Sequence, residues 1–160
     1  MQFTLRDYST SDFETLYEID QACYQRGIAY SRRMLRWYLD LRESFCIVAE
    51  SLAELRPSPI GFIVAQAHRT EAYIITIDVL PAHRRSGVGT SLLQETEHRL
   101  AKRGVRQVEL QTATNNEAGV AFWLRHGYRS SGVSRGYYLG CMDAHNMFKS
   151  LQDTDRPATA

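Results

Sequence analysis

Val79-Leu80-Pro81-Ala82-His83-Arg84-Arg85-Ser86-Gly87-Val88-Gly89-Thr90 is the stretch whose reading decides the fold. A hydrophobic run from Tyr73 to Val79 enters it, and a helical pattern leaves it, with Leu92, Leu93, Thr96 and Leu100 on one side. A basic, glycine-bearing turn lies between strand and helix. Such a turn aims several backbone N–H groups at one point, at the positive end of a helix dipole, and so forms a receptacle for a phosphate or pyrophosphate. Glycine admits the required dihedrals and lets an anion approach the backbone. The pattern G-x-x-x-x-G-K-[ST] is absent, which excludes a Walker loop. A third glycine is also missing, and Glu109 and Gln111 stand in a pattern unlike that of a dinucleotide-binding fold. What remains is Arg-x-x-Gly-x-Gly opening a helix. An ordinary turn with two solvated arginines is the alternative.

The 160 residues are read as one domain over residues 1–152, followed by a polar, frayed tail over 153–160. Apolar content of 44% and charged content of 23% are ordinary globular values. A net charge of +1 without a basic stripe predicts neither a nucleic-acid nor a membrane partner. Cys23, Cys46 and Cys141 are too far apart, and His68, His83, His98, His126 and His145 too scattered, to form a disulfide framework or a metal-ligand signature. No metal is therefore expected. The N-terminus has no signal-peptide core and no apolar run is long enough to span a bilayer, so the expected compartment is the cytoplasm.

The elements follow from periodicity and punctuation. Residues 3–7 read as a strand. The run 9–12 caps a helix carrying Phe13, Leu16, Tyr17, Ile19 and Asp20, and Ser31 caps a second with Met34, Leu35, Tyr38 and Leu39. Strands follow at 45–50, 60–66 and 72–79, then a helix over 88–102 stopped by Gly104. A strand at 107–112, a short helix capped by Asn115 or Asn116, and strands at 128–134 and 141–148 close the chain. This order describes an α+β (mixed α/β) protein, not a strictly alternating doubly wound one.

With loop and order in hand, the chain resembles the GCN5-related N-acetyltransferase (GNAT) superfamily, and within it the ribosomal-protein-alanine N-acetyltransferase branch. The opening helix Leu16–Tyr24, Val79-x-Pro81 with Arg84-x-x-Gly87-x-Gly89, Asn116 with Ala121-Phe122-Trp123 and His126-Gly127-Tyr128, and Tyr137-Tyr138 with Asp143-Ala144-x-x-Met147 carry the likeness in order and spacing. The resemblance implies the acyl-CoA N-acyltransferase fold, a twisted mixed sheet of about six to seven strands with about four helices. It implies acetyl-CoA as cosubstrate and direct transfer to a primary amine in a ternary complex. The backbone of Ile77, Asp78 and Val79 would pair with pantetheine and acetyl groups as an added half-strand. Arg84, Arg85, Ser86, Gly87, Val88, Gly89 and Thr90 would hold the pyrophosphate. Asn116 would bond the cofactor arm and Trp123 would wall the thiol. Asn116 as a simple N-cap is the alternative.

The chain departs from that branch where protons are handled. Gln111 stands at the position of the branch's glutamate base, and Trp123 at that of its tyrosine acid. Four residues are candidates to replace them. Glu109 lies two residues back on the same strand face, about 7 Å away. Asp78 is a carboxylate in an apolar strand, which needs a partner or a task. Tyr137 and Tyr138 would reach the thiol from the last hairpin. The substrate entrance would draw on Arg26, Tyr30 and Arg135, with Arg32 and Arg33 nearby, and on a loop over residues 134–141. The amine would be a protein N-terminus. A small amine, such as a polyamine or amino-acid derivative, and a non-catalytic acyl-CoA-binding module are the alternatives. The oligomeric state, a dimer included, is left open by the sequence.

Overall fold

The computed structural model describes residues 2–53 and 55–151. The chain forms β1 (Phe3–Asp7), α1 (Phe13–Cys23), α2 (Arg32–Asp40), β2 (Ser44–Ser51), β3 (Ser58–His68), β4 (Glu71–Val79), α3 (Val88–Lys102), β5 (Gln107–Ala113), α4 (Glu117–Arg125), β6 (Arg129–Tyr138) and β7 (Met142–Ser150). The strands follow the order β1-β2-β3-β4-β5-β7-β6. This is the mixed α/β architecture expected, with seven strands and four α-helices among the described residues. Contacts divide the described residues into two compact units, those within 2–66 and 74–99, and those within 67–73 and 100–151. The expected tail, 153–160, lies outside the described residues.

In the first unit β1, β2 and β3 form an antiparallel meander, with Leu5 opposite Ala49 and Val48 opposite Phe62. Alternation puts Cys46, Val48, Phe62 and Val64 on one face, where Phe13, Leu16 and Ile19 of α1 and Leu35 of α2 cover them. The start of α1 is pinned from below. Arg6 of β1 makes two hydrogen bonds to Asp12, at 2.7 and 2.9 Å, and Asp12 Oδ2 accepts from Ser9 N at 2.8 Å. Ser31 caps α2 by accepting from Met34 N at 3.2 Å. Arg36 lays its guanidinium 3.8 Å from the centre of the Phe13 ring.

In the second unit Glu71–Tyr73 of β4 runs parallel to Gln107–Glu109 of β5, and β5 pairs antiparallel with β7, Gln111 opposite Asn146. β7 then pairs with β6. Trp123 of α4 is buried edge-on to Tyr128, ring centres 5.1 Å apart. The expected loop over 134–141 is a correction: β6 continues to Tyr138 with an irregular register after Ser134. Leu139 (φ 50°) and Gly140 (φ 73°) make the tight turn into β7. The sequence hides this because the run Ser134-Arg135-Gly136 lacks strand alternation; Gly136 N is instead held by Asp143 Oδ1 at 2.8 Å.

Candidate active site

In the first unit the site is built on β4. Its even residues Ile74, Thr76 and Asp78 point into the interior, and the backbone groups of its odd residues line one edge. The carbonyls of that edge meet a row of side-chain donors. Tyr30 hydroxyl donates to Ile75 O at 3.2 Å and Tyr24 hydroxyl to Ile77 O at 2.9 Å. Val79 O accepts from Cys23 Sγ at 3.3 Å and from Arg84 Nε at 2.9 Å. A carbonyl has two lone pairs, so those of Ile75 and Ile77 retain capacity beyond their tyrosine donors. Ile77 and Val79 therefore lie at the edge assigned to pantetheine in the sequence reading, and they already accept side-chain hydrogen bonds.

Beyond Val79 the chain turns at Pro81–His83 and enters the loop. Arg85 (φ 59°) and Gly87 (φ 88°) both take left-handed backbone conformations, and Ser86 Oγ donates to His83 O at 2.5 Å. Val88 then starts the 15-residue α3, where Ser91 N donates to Gly87 O at 2.9 Å. Side chains of Arg84 and Arg85 are exposed, Val88 is buried, and no atom lies within 4 Å of a Cβ added at Gly87. An open, left-handed turn at the head of a long helix, flanked by two arginines, has the donor chemistry of a pyrophosphate cradle. The residues present fit that group.

Asp78 lies beneath the strand, 1% exposed. Its Oδ1 accepts from Thr76 Oγ1 at 2.5 Å. Asp20 of α1 is fully buried, and its Oδ2 accepts from Tyr30 N at 2.7 Å and Gln21 Nε2 at 3.2 Å. Burial pushes the Asp20 carboxyl up to about 6. Burial, and then the charge of Asp20, holds Asp78 well above the usual carboxylate range. Burial also raises the Cys23 thiol to about 11. Among the substrate candidates of this unit, Arg26 is exposed and Tyr30 half-buried against β4. Arg32 is engaged elsewhere, with Glu14 at 3.2 Å and over the Tyr17 ring at 4.1 Å.

The second unit holds the other candidates. Gln111 donates to Asn146 Oδ1 at 3.2 Å and accepts from Tyr137 hydroxyl at 3.4 Å. Tyr137 hydroxyl also meets that of Tyr73 at 3.3 Å, and Asn146 Nδ2 donates to Ser134 Oγ at 2.9 Å. The Tyr137 and Tyr138 rings sit edge-on, centres 4.9 Å apart, and burial pushes the Tyr138 phenol up to about 12. Glu109 is exposed, accepts from Gln107 at 2.8 Å, and shares a groove with Gln111, Asn146 and Phe148. Asn116 caps α4 by accepting from Gly119 N at 3.0 Å. Trp123 is packed against Phe122 and Tyr128, and Arg135 is exposed.

Asp20, Tyr24, Thr76, Tyr73 and Asn146 belong to these networks without having been singled out from the sequence. Asp20 had a signal, since it falls four residues after Leu16 on the core face of α1. Asn146 and Tyr73 had none, because their partners come from pairing register.

The model of the Acetyltransferase (GNAT) family matches residues 13–128. An uncharacterized N-acetyltransferase of Methanocaldococcus jannaschii is 26% identical over 145 residues, 84% of this chain and 64% of that protein. The [ribosomal protein bS18]-alanine N-acetyltransferase of Escherichia coli K12 is 32% identical over 78 residues, 49% of this chain and 53% of that protein. The chain thus spans less than two thirds of the length of these two relatives. The crystal structure of the Escherichia coli ribosomal-protein-S18-alanine N-acetyltransferase superposes with a TM-score of 0.82 over 99% of both chains at 22% identity, a likeness of fold.

Proposed function

From the premise that the chain belongs to the acetyltransferase (GNAT) family, we propose that it transfers an acetyl group from acetyl-CoA directly to a primary amine, the α-amine of a protein N-terminus. The observation that carries this reading is the left-handed turn at Arg85 and Gly87 at the head of α3, directly after β4. Bound acetyl-CoA supplies the thioester acyl group and a thiolate leaving group. The backbone of residues 85–90 and the Arg84 and Arg85 side chains bind the pyrophosphate. Ile77 presents its C=O to the pantetheine arm, sharing it with Tyr24, and Val79 its N–H, its carbonyl being filled by Cys23 and Arg84. The Val79 N–H would polarise the thioester carbonyl as its oxygen gains charge. Asn116 offers its amide to the cofactor arm while capping α4, and the Trp123 indole shapes the wall of the thiol site.

Two groups carry the proton work, and two support them. Tyr138 keeps its proton throughout the physiological range and donates it to the departing thiolate. Tyr137, joined to Gln111 and Tyr73, orders the hydroxyl chain beside it. Glu109, exposed on the same strand face as Gln111, takes the ammonium proton through a water. Asp78, closed to solvent, acts on the strand from beneath. Arg26, Tyr30 and Arg135 receive the substrate chain. A protein α-amine is favoured by the relative whose name specifies a ribosomal-protein alanine.

Gln111 favours a second reading. Its amide cannot accept the ammonium proton, and both its ends are hydrogen-bonded. A module that binds acyl-CoA without transfer needs no base. The test is a mass-spectrometric transfer assay with acetyl-CoA and a pool of N-terminal peptides, polyamines and amino-acid amines. N-terminally acetylated peptides are the expected product. Acetylated small amines alone would replace the proposed substrate class, and acetyl-CoA binding with no acetylated amine would replace transfer by binding.

A further inference from the structure

Four oxygens and too few donors meet between α1 and β4. Asp20 Oδ2 is satisfied by Tyr30 N and Gln21 Nε2, and Asp78 Oδ1 by Thr76 Oγ1. The remaining oxygens, Asp20 Oδ1 and Asp78 Oδ2, are buried without a hydrogen-bond partner. The two carboxyl groups lie within hydrogen-bonding reach of each other. Among the described residues neither makes an ion pair. The titratable groups that face them are the Cys23 thiol and Tyr24 phenol from α1 and its C-terminal end and the Cys46 thiol from β2, all pushed upward by burial and neutral. Arg84, the cation beside Cys23, spends its Nε on Val79 O. Two ionised carboxylates there would combine like-charge repulsion with uncompensated desolvation. One proton between the two orphaned oxygens turns them into a donor and an acceptor, a charge-assisted O–H···O⁻ bond.

We infer that Asp20 and Asp78 share a single proton, and that this acid–carboxylate pair positions the segment from Tyr24 to Tyr30 along the edge of β4. Asp78 is the acid and Asp20 the carboxylate, because Asp20 receives two N–H donors that favour its charge while Asp78 faces hydroxyls alone, those of Thr76 and Tyr24. The consequence reaches the edge through short links. Asp20 holds Tyr30 N, and Gln21 Nε2 donates to Tyr30 O at 2.7 Å. Tyr30 and Tyr24 then aim their hydroxyls at Ile75 O and Ile77 O. Loss of the proton drives α1 and β4 apart and releases both tyrosines. The positioning half of this inference rests on the acetyl-transfer reading; the shared proton does not.

The experiment is infrared difference spectroscopy and carbon-13 carboxyl NMR of the whole protein at neutral pH, joined to unfolding curves against pH. A carboxylic-acid C=O signal is expected in the wild type and absent from Asp78→Asn, whose amide N–H replaces the shared proton. The pair binds one proton more folded than unfolded, so wild-type stability falls as pH rises above about 4, up to tenfold in the unfolding constant per pH unit, until the pair ionises. Asp78→Asn lacks that slope. Faster amide exchange at Tyr30 accompanies the loss of the proton. No acid signal in the wild type overturns the inference, and this measurement does not depend on any variant folding. Parallel stability curves for wild type and Asp78→Asn overturn it too. An acid signal in a protein that acetylates no amine keeps the pair and refutes only the transfer reading.

Discussion

Replacing Gly87 by glutamate separates the two things that glycine does in the loop. The first is conformational. At φ 88° a side chain carries a steric cost of about 1–2 kcal/mol, and this is the whole cost of Gly87→Ala because a Cβ there meets no atom within 4 Å. In a domain of this size such a loss lowers Tm by roughly 2–8 °C. The second is electrostatic. The Gly87→Glu substitution would set a carboxylate beside the pyrophosphate, and one pair of like charges at about 4 Å costs about 1 kcal/mol in water and about 4 at an effective dielectric of about 20. Gly87 is exposed, so the lower part of that range applies. A penalty of about 1–2 kcal/mol weakens binding roughly 5- to 30-fold. Calorimetric titration of CoA into wild type, Gly87→Ala and Gly87→Glu reads this directly. Both variants should melt lower, and only Gly87→Glu should bind CoA poorly, with the deficit shrinking at high salt. Gly87→Glu binding CoA as the wild type does would refute the placement of the pyrophosphate at the head of α3.

Tyr138→Phe should lower kcat by roughly 100-fold or more while leaving the KM for acetyl-CoA nearly unchanged, because the lost phenol is the proton donor and not a binding group; steady-state kinetics checks it. Gly119→Ala should cost about 1 kcal/mol and weaken CoA binding, since a Cβ there would collide with Asn116 Nδ2 and push the cap out of place; thermal melts and CoA titration report the two effects separately. The Arg6 hydrogen bonds hold the Asp12 carboxyl below its ordinary value, so their stabilisation is present above about pH 4 and is lost as pH falls through the lowered value. Arg6→Ala should therefore flatten the acid limb of the stability curve, which unfolding measurements between neutral and low pH would show.

The frame of the fold was legible because its signals are local. Ser31 before an amphipathic run, Gly104 after one, and apolar alternation into Val79 each act within a few residues, and the structure places α2, α3 and β4 where they predict. Gly87 was legible for the same reason, since its left-handed conformation favours glycine in the sequence itself, whereas the left-handed Arg85 carries no such signal. The hairpin β6–β7 was read too short because its last residues owe their pairing to a bulge and to Asp143, which no alternation announces. The network Tyr73–Tyr137–Gln111–Asn146 was illegible altogether. It joins side chains far apart in the chain, and only the register of β5 against β7 sets Gln111 opposite Asn146.

Asp78 marks the point at which local signals stop deciding a role. A carboxylate in an apolar strand signals a partner or a task, and the sequence alone points to the task because the thioester would lie nearby. Strand alternation argues the other way. Gly61 and Leu80 hold the end of β4 against β3: Leu80 N donates to Ile60 O at 2.9 Å, and a Cβ on Gly61 would sit 2.6 Å from Asp78 O. With that register fixed, the Asp78 side chain must enter the core, and no solvent reaches it to carry a proton away. A group so placed is a poor base, whatever its distance from the acyl carbon, because each turnover would require it to charge and discharge in a medium that opposes charge. Its partner was equally visible in principle, for Asp20 recurs on the buried face of α1 with Leu16. Once α1 packs on β4, two buried acidic residues meet with no basic partner, the setting in which one shared proton takes the place of an ion pair.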